Sequence, residues 1–109
     1  IKMSVKSKRL IKDSLEEIKA VDTVFLNLKK LNSFTDVLIV TTGTSTRHMS
    51  AIKDRVIEDL KKNELLILGV EGADSPDWVL VDLGDIVLNI MSPDSRKIYD
   101  LESLWDPNL

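Results

Sequence analysis

The sequence predicts one α/β domain across residues 1–109, a mixed β-sheet with helices packed on it. Three observations carry that expectation. Two long stretches repeat apolar residues at the helical period, and five short runs are β-branched or apolar and bounded by turn residues. The two kinds follow one another in the order α-β-β-α-β-β-β-α. A chain of 109 residues is long enough to bury a core without disulfides or a structural metal.

The first helix is expected from about Ser4 to Ala20, where Ile11, Leu15 and Ile18 fall at i, i+4 and i+7 among lysines and glutamates. Met3 fits a natural start, with Ile1 and Lys2 as additions. Val24–Leu28 and Asp36–Thr42 read as strands separated by a Lys29–Ser33 loop. Met49, Ile52, Val56 and Leu60 restore helical spacing until Lys61, Lys62 and Asn63, a cationic last turn and a stop. Leu65–Val70 reads as a short buried strand and Glu71–Pro76 as a loop. Trp78–Leu83 and Asp85–Met91 flank a tight turn at Leu83-Gly84. Ser92 and Pro93 are an N-cap and N1 pair opening a last helix, with a break, through Leu101 to Trp105. Ile98, Leu101, Leu104 and Trp105 are expected to dock on the core, and Tyr99 to present its hydroxyl at the surface.

There is no cysteine and only one histidine, so thiol nucleophiles, disulfide scaffolds and most zinc sites are excluded by inventory. No metal or cofactor is expected. The longest apolar run is far short of the ~20 residues of a membrane-spanning helix, and the start lacks a leader pattern. The chain reads as soluble and cytoplasmic. A formal charge of -3 argues against broad phosphate-backbone binding, so a basic protein is the easier partner and little direct RNA contact is expected.

Val40 to His48, VTTGTSTRH, places a glycine and a run of hydroxyls between a strand and a helix. A Walker-type loop needs a second glycine followed by lysine and Ser or Thr, and a dinucleotide fingerprint needs three spaced glycines. Gly43 stands alone here. A nucleotidyltransferase-like reading requires carboxylates presented to metal from one strand face. Asp54 and Asp59 lie on a helix instead, and Asp82 and Asp85 lie across a turn with no third carboxylate of clear role near them. Helix capping by Thr44, Ser45 or Thr46 is the simpler account. Arg47 and His48 then sit in the first helical turn, where the macrodipole disfavours cations, which marks them as candidate surface residues. His48 has no evident triad partner and is expected to be solvated or hydrogen-bonded.

A two-residue turn at Leu83-Gly84 pairs Asp82 with Asp85, Leu80 with Val87 and Trp78 with Asn89. One hairpin face then carries Val79, Val81, Ile86, Leu88 and Ile90, suited to a core; the other carries Trp78, Leu80, Asp82, Asp85, Val87, Asn89 and Met91. The second face offers an aromatic anchor, an apolar surround and carboxylates that select a basic partner. Trp78, Leu80, Asp82, Leu83 and Asp85 are therefore the candidate partner-binding residues, with Arg47, His48 and Tyr99 as additional surface. The alternative is a sheet covered on both sides, Trp78 lying beneath a helix and the aspartates serving turn geometry. A slip of one residue would exchange the faces.

Four motifs in order, Thr42–His48, Val70-Glu71-Gly72, Asp77–Val87 and Tyr99–Trp105, resemble the ribosomal silencing factor family, also called Iojap, over nearly the whole chain. The resemblance implies a nucleotidyltransferase-like fold without the catalytic carboxylates. It also implies a non-enzymatic factor that binds a basic ribosomal protein of the L14 family on the large subunit, blocks joining of the small subunit and damps translation when nutrients are scarce. Asn89 is a departure, standing where the family often has histidine. A residual nucleotidyltransferase and a homodimeric scaffold using the same hairpin face are the rival readings.

Overall fold

The computed structural model describes residues 2–28 and 35–105, with side chains at 5–28 and 35–103. Its elements are α1 (Lys2–Glu17), β1 (Val21–Asn27), β2 (Val37–Thr42), α2 (Thr46–Lys62), β3 (Gly69–Glu71), β4 (Trp78–Asp82), β5 (Ile86–Met91), α3 (Pro93–Tyr99) and α4 (Leu101–Trp105). The strands form one mixed sheet ordered β1-β2-β5-β4-β3. The central pair β2 and β5 is parallel, and the other neighbours are antiparallel.

The centre of the sheet follows from composition. All six residues of β2, four aliphatic and then two threonines, are buried, as in a strand covered on both faces. On one face, α1 and α2 bring Ile11, Leu15, Met49, Ile52, Val56 and Leu60 against Ile39, Val79, Val81, Ile86, Leu88 and Ile90. Each side chain of this size contributes about 1.5–3 kcal/mol when taken fully out of water. The opposite face holds a smaller cluster of Leu28, Leu38, Val40 and Met91, with Leu26, Trp78, Val87 and Leu101 packed on it.

Local signals set the helix ends. Ser45 caps α2, its hydroxyl accepting from the His48 amide at 3.0 Å. Ser92 caps α3 in the same way from the Ser95 amide, with Pro93 in the first turn. Asp100 in the left-handed region, at φ 42, separates α3 from α4, which is the expected break. α1 stops at Glu17, three residues before the expected end, because Lys19 turns left-handed at φ 60 and the Ala20 amide returns to the Leu15 carbonyl at 2.9 Å. Between the two long helices, Asp59 Oδ2 accepts from Ser14 Oγ at 2.6 Å and from Arg55 Nε at 3.0 Å, and Arg55 also reaches Glu17. The Ser14 hydroxyl, and after it Arg55, holds the Asp59 carboxyl below its ordinary value.

Three expectations are corrected. Leu65–Val70 is not a buried strand: β3 covers only Gly69–Glu71 at the sheet edge, and Leu66 and Leu68 are 74% and 60% exposed. Leu65 alone of that run is buried, with Ile67 and Val70 partly buried against the core, since an edge position gives the alternate side chains nothing to pack against. Ile98 is 75% exposed instead of docked, because the short α3 buries only Ser95. The turn of the hairpin is displaced by one residue, as set out below. The expected Lys29–Ser33 loop and the docking of the Leu104 and Trp105 side chains lie outside the described residues. Among the described residues no helix is long and apolar enough to cross a membrane.

Candidate partner-binding face

The hairpin turns about Gly84 and Asp85. Leu83 N–H donates to the Ile86 carbonyl at 2.9 Å, and Gly84 takes φ 92 at the first central position, where a primed turn favours glycine. Asp82 therefore faces Val87, Leu80 faces Asn89 and Trp78 faces Met91, in place of the pairs expected for a turn at Leu83-Gly84. Each strand residue meets a partner two positions further on. An even displacement preserves the faces, so Val79, Val81, Ile86, Leu88 and Ile90 are all buried towards the helices as expected.

The other face is graded. Met91 and Asn89 are fully buried, whereas Trp78, Leu80, Asp82 and Val87 are half-buried. The Trp78 indole Nε1 donates to Asn89 Oδ1 at 2.9 Å, and Asn89 Nδ2 donates to the Ile39 carbonyl at 3.3 Å. A buried amide thus anchors the polar edge of the ring from the neighbouring strand. Tyr99, 53% exposed, tilts over Trp78 with ring centroids 5.1 Å apart. The entry to β4 is fixed as well, since Ser75 Oγ accepts from the amides of Asp77 and Trp78. Gly72, at φ 68, lets the Trp78 carbonyl approach to where a Cβ would lie only 2.6 Å from it. These supports make Trp78 a held platform. Asn89 and Ser75 were not among the sequence candidates; an amide within an otherwise apolar strand was the available signal.

The aspartates separate. Asp82 Oδ1 accepts from the Gly84 amide at 2.8 Å, so this carboxylate serves the turn as well as the face. Asp85 is a turn residue whose carbonyl takes the amides of Asp36 and Val37, tying the hairpin to the start of β2. Leu83 packs towards the helix-side core, and it shares a cleft of about 200 Å³ with Ser7, Leu65, Leu66 and Asp85. Trp78, Leu80 and Asp82 share one face along the length of β4, while Leu83 and Asp85 lie around the hairpin tip.

The Val40–His48 loop resolves as a cap. Gly43 is required by packing, for a Cβ there would lie 2.5 Å from Met49 Cγ. His48 works internally: Nδ1 accepts from the Thr44 amide at 2.9 Å, which leaves Nε2–H to donate to the Ile18 carbonyl at 2.9 Å. It pins the end of α1 to the start of α2. Arg47 is exposed and lines a cleft with Thr46, Ser50, Ala73, Asp74 and Ser75, beside the loop that delivers Trp78. Among the described residues no group of three His, Asp or Glu is placed to hold a metal.

The chain is similar to proteins of known family and structure. The fold is that of a solved Chromobacterium violaceum protein, whose crystal structure superposes with a TM-score of 0.88 at 41% identity, covering 92% of this chain and 83% of that one. Residues 2–108 match the family described as "Ribosomal silencing factor during starvation". The chain belongs to the ribosomal silencing factor family. It is 40% identical over 93 residues to the ribosomal silencing factor of Haemophilus influenzae, across 85% of this chain and 91% of that one. It is also 33% identical over 94 residues to the mouse protein named "Mitochondrial assembly of ribosomal large subunit protein 1", across 84% of this chain and 41% of that one.

Proposed function

We propose that this chain silences translation in the cytoplasm by binding a basic protein of the L14 family on the large ribosomal subunit and blocking association with the small subunit, without catalysis or a cofactor. One observation carries the reading: Trp78, clamped by Asn89 and packed against Tyr99, is a half-buried aromatic held rigid on a strand face that also carries Leu80 and, at its hairpin end, the Asp82 carboxylate. A pre-ordered indole loses little side-chain freedom on docking, and a negative charge further along the same face selects lysine and arginine. The name of the mouse relative, which mentions the large subunit, supports the choice of subunit.

The test is co-sedimentation with separated large subunits at several salt concentrations, alongside a subunit-joining assay. Trp78→Ala should weaken binding by about thirtyfold, the ~2 kcal/mol typical of a central interface tryptophan, with a smaller effect on melting temperature. Asp82→Asn retains an oxygen for the Gly84 amide while removing the charge, so it should slow association and flatten its salt dependence. A folded double variant that binds and blocks joining like the parent protein would move the interface elsewhere. A second copy of the chain is the competing occupant, favoured by exposed Leu66 and Leu68 beside the edge strand β3. Mass that rises with concentration, and falls in Leu66→Ser and Leu68→Ser, would identify that use.

A further inference from the structure

The charge of this chain is segregated. Residues 2–12 hold Lys2, Lys6, Lys8, Arg9 and Lys12 and no carboxylate, whereas the rest of the sequence sets ten cations against eighteen carboxylates. The whole-chain value of -3 averages over this division. In the structure the segment is the first three turns of α1, with Ser7 and Ile11 turned inward and Lys6, Lys8, Arg9 and Lys12 exposed.

Ion pairing within the fold does not account for these cations. The N-terminal end of a helix carries the positive end of its dipole, and α1 has no acidic residue in its first turn. Lys8 and Lys12, four residues apart, are a like-charge pair on one helix face, which opposes helix formation slightly. None of Lys6, Lys8, Arg9 and Lys12 takes part in an ion pair among the described residues. Lys8 instead stands 5.5 Å from the Phe25 ring centroid. Lys8, Arg9 and Lys12 border a shallow depression of about 430 Å³ on the outer face of α1, with Val5 at its N-terminal end and Asp13 and Glu16 at the other.

We infer that the outer face of α1 is a contact surface for a phosphate backbone, engaging an RNA duplex through Lys8, Arg9 and Lys12, with Lys6 adjacent. The apolar stripe of α1 is already used in the core, which excludes insertion into a membrane. Val5 is the only large exposed apolar side chain on the helix among the described side chains, so the face lacks the anchors a protein interface concentrates; phosphates require none. α1 packs on the opposite side of the sheet from Trp78 and Asp82, leaving both surfaces free to be occupied together. That the polyanion is RNA rests on the ribosomal reading above; the cationic surface itself does not.

The experiment is fluorescence anisotropy of a short labelled RNA duplex with the 109-residue protein between about 50 and 200 mM salt, the range over which counterion release is read. About three phosphate contacts give a log–log slope near -2 to -3. The K8E/R9E/K12E variant should lose that binding, with circular dichroism little changed because the three positions are exposed and glutamate has a helix propensity close to that of lysine and arginine. Should it unfold, K8Q/R9Q/K12Q replaces it and should bring the slope close to zero. Trp78→Ala should bind the duplex like the parent protein, so failure of the protein-docking reading remains distinguishable. Unchanged affinity and slope in the folded charge variant would overturn the proposal, as would equal affinity of the parent protein for polyglutamate, which would indicate an acidic protein partner.

Discussion

The two faces of the β4–β5 hairpin arise from one alternation yet end in different states. Towards the helices, Val79, Val81, Ile86, Leu88 and Ile90 are each at most 1% exposed in a wholly apolar environment. On the other side, a buried amide holds a half-buried indole against an exposed tyrosine, and a carboxylate ends the same strand face at the turn. The first face needs only shape and hydrophobicity, and similar aliphatics would satisfy it. The second holds particular groups in particular directions. Stability is therefore concentrated on one side, and chemical identity on the other.

That division can be broken in order of expected effect. Leu88→Ala opens a cavity at the centre of the helix-side core and should cost about 2–5 kcal/mol in urea unfolding. Binding should fall only in proportion to the unfolded fraction. Asn89→Ala strips the Trp78 indole N–H of its acceptor and should cost about 1–3 kcal/mol. Here binding should fall even where the protein is fully folded, and indole fluorescence should shift towards that of a hydrated ring. A fall in stability with unchanged affinity would show that the anchoring amide has only a structural role. Ser45→Ala, remote from both faces, should cost about 1 kcal/mol and leave binding alone, whereas Arg47→Ala should be neutral or slightly stabilising because it removes a cation from the positive end of α2.

The smallest effect is a pH dependence at the junction of α1 and α2. The folded state lowers the Asp59 carboxyl below its ordinary value, so Asp59 contributes stability above the unfolded carboxylate value of about 3.9, and this is lost as pH falls through the folded value. Asp59→Asn should be less stable than the parent protein at neutral pH, and the gap should narrow on acidification below about pH 4. A gap constant across that range would mean that the charge of Asp59 does not contribute.

Much of the helix-side face was legible. Ile11, Leu15, Met49, Ile52, Val56 and Leu60 follow the helical period and are all buried, since nothing competes with burial for such residues. The caps at Ser45 and Ser92 could be read because capping chemistry is local. The sheet edge could not: Leu65–Val70 has the composition of a buried strand, and only tertiary position exposes Leu66 and Leu68. The turn was misplaced by one residue because glycine suits either central position of such a turn, while the faces survived because their parity was unaltered. The clamp on Trp78 was hidden for a different reason. Asn89 lies opposite Leu80 and reaches the indole diagonally, a contact that depends on ring direction and not on register alone. Tyr99 was marked for exposure, but its ring contact with Trp78 depends on how α3 is set against the sheet.

The place of β5 in the sheet carries a consequence for synthesis. It lies between β2 and β4 and joins a parallel partner that left the peptidyl-transfer centre much earlier; Asn89 and Ile39, which hydrogen-bond across this seam, are 50 residues apart. Before residues 86–91 are available, the β1–β2 hairpin has an unfilled inner edge and β4 lacks its neighbour on the same side. Distant pairings of this kind close late, after the entropy of the intervening loop has been overcome. A nascent chain stalled short of β5 therefore exposes two raw strand edges, and its release as a well-formed domain awaits the strand that holds the amide beneath Trp78.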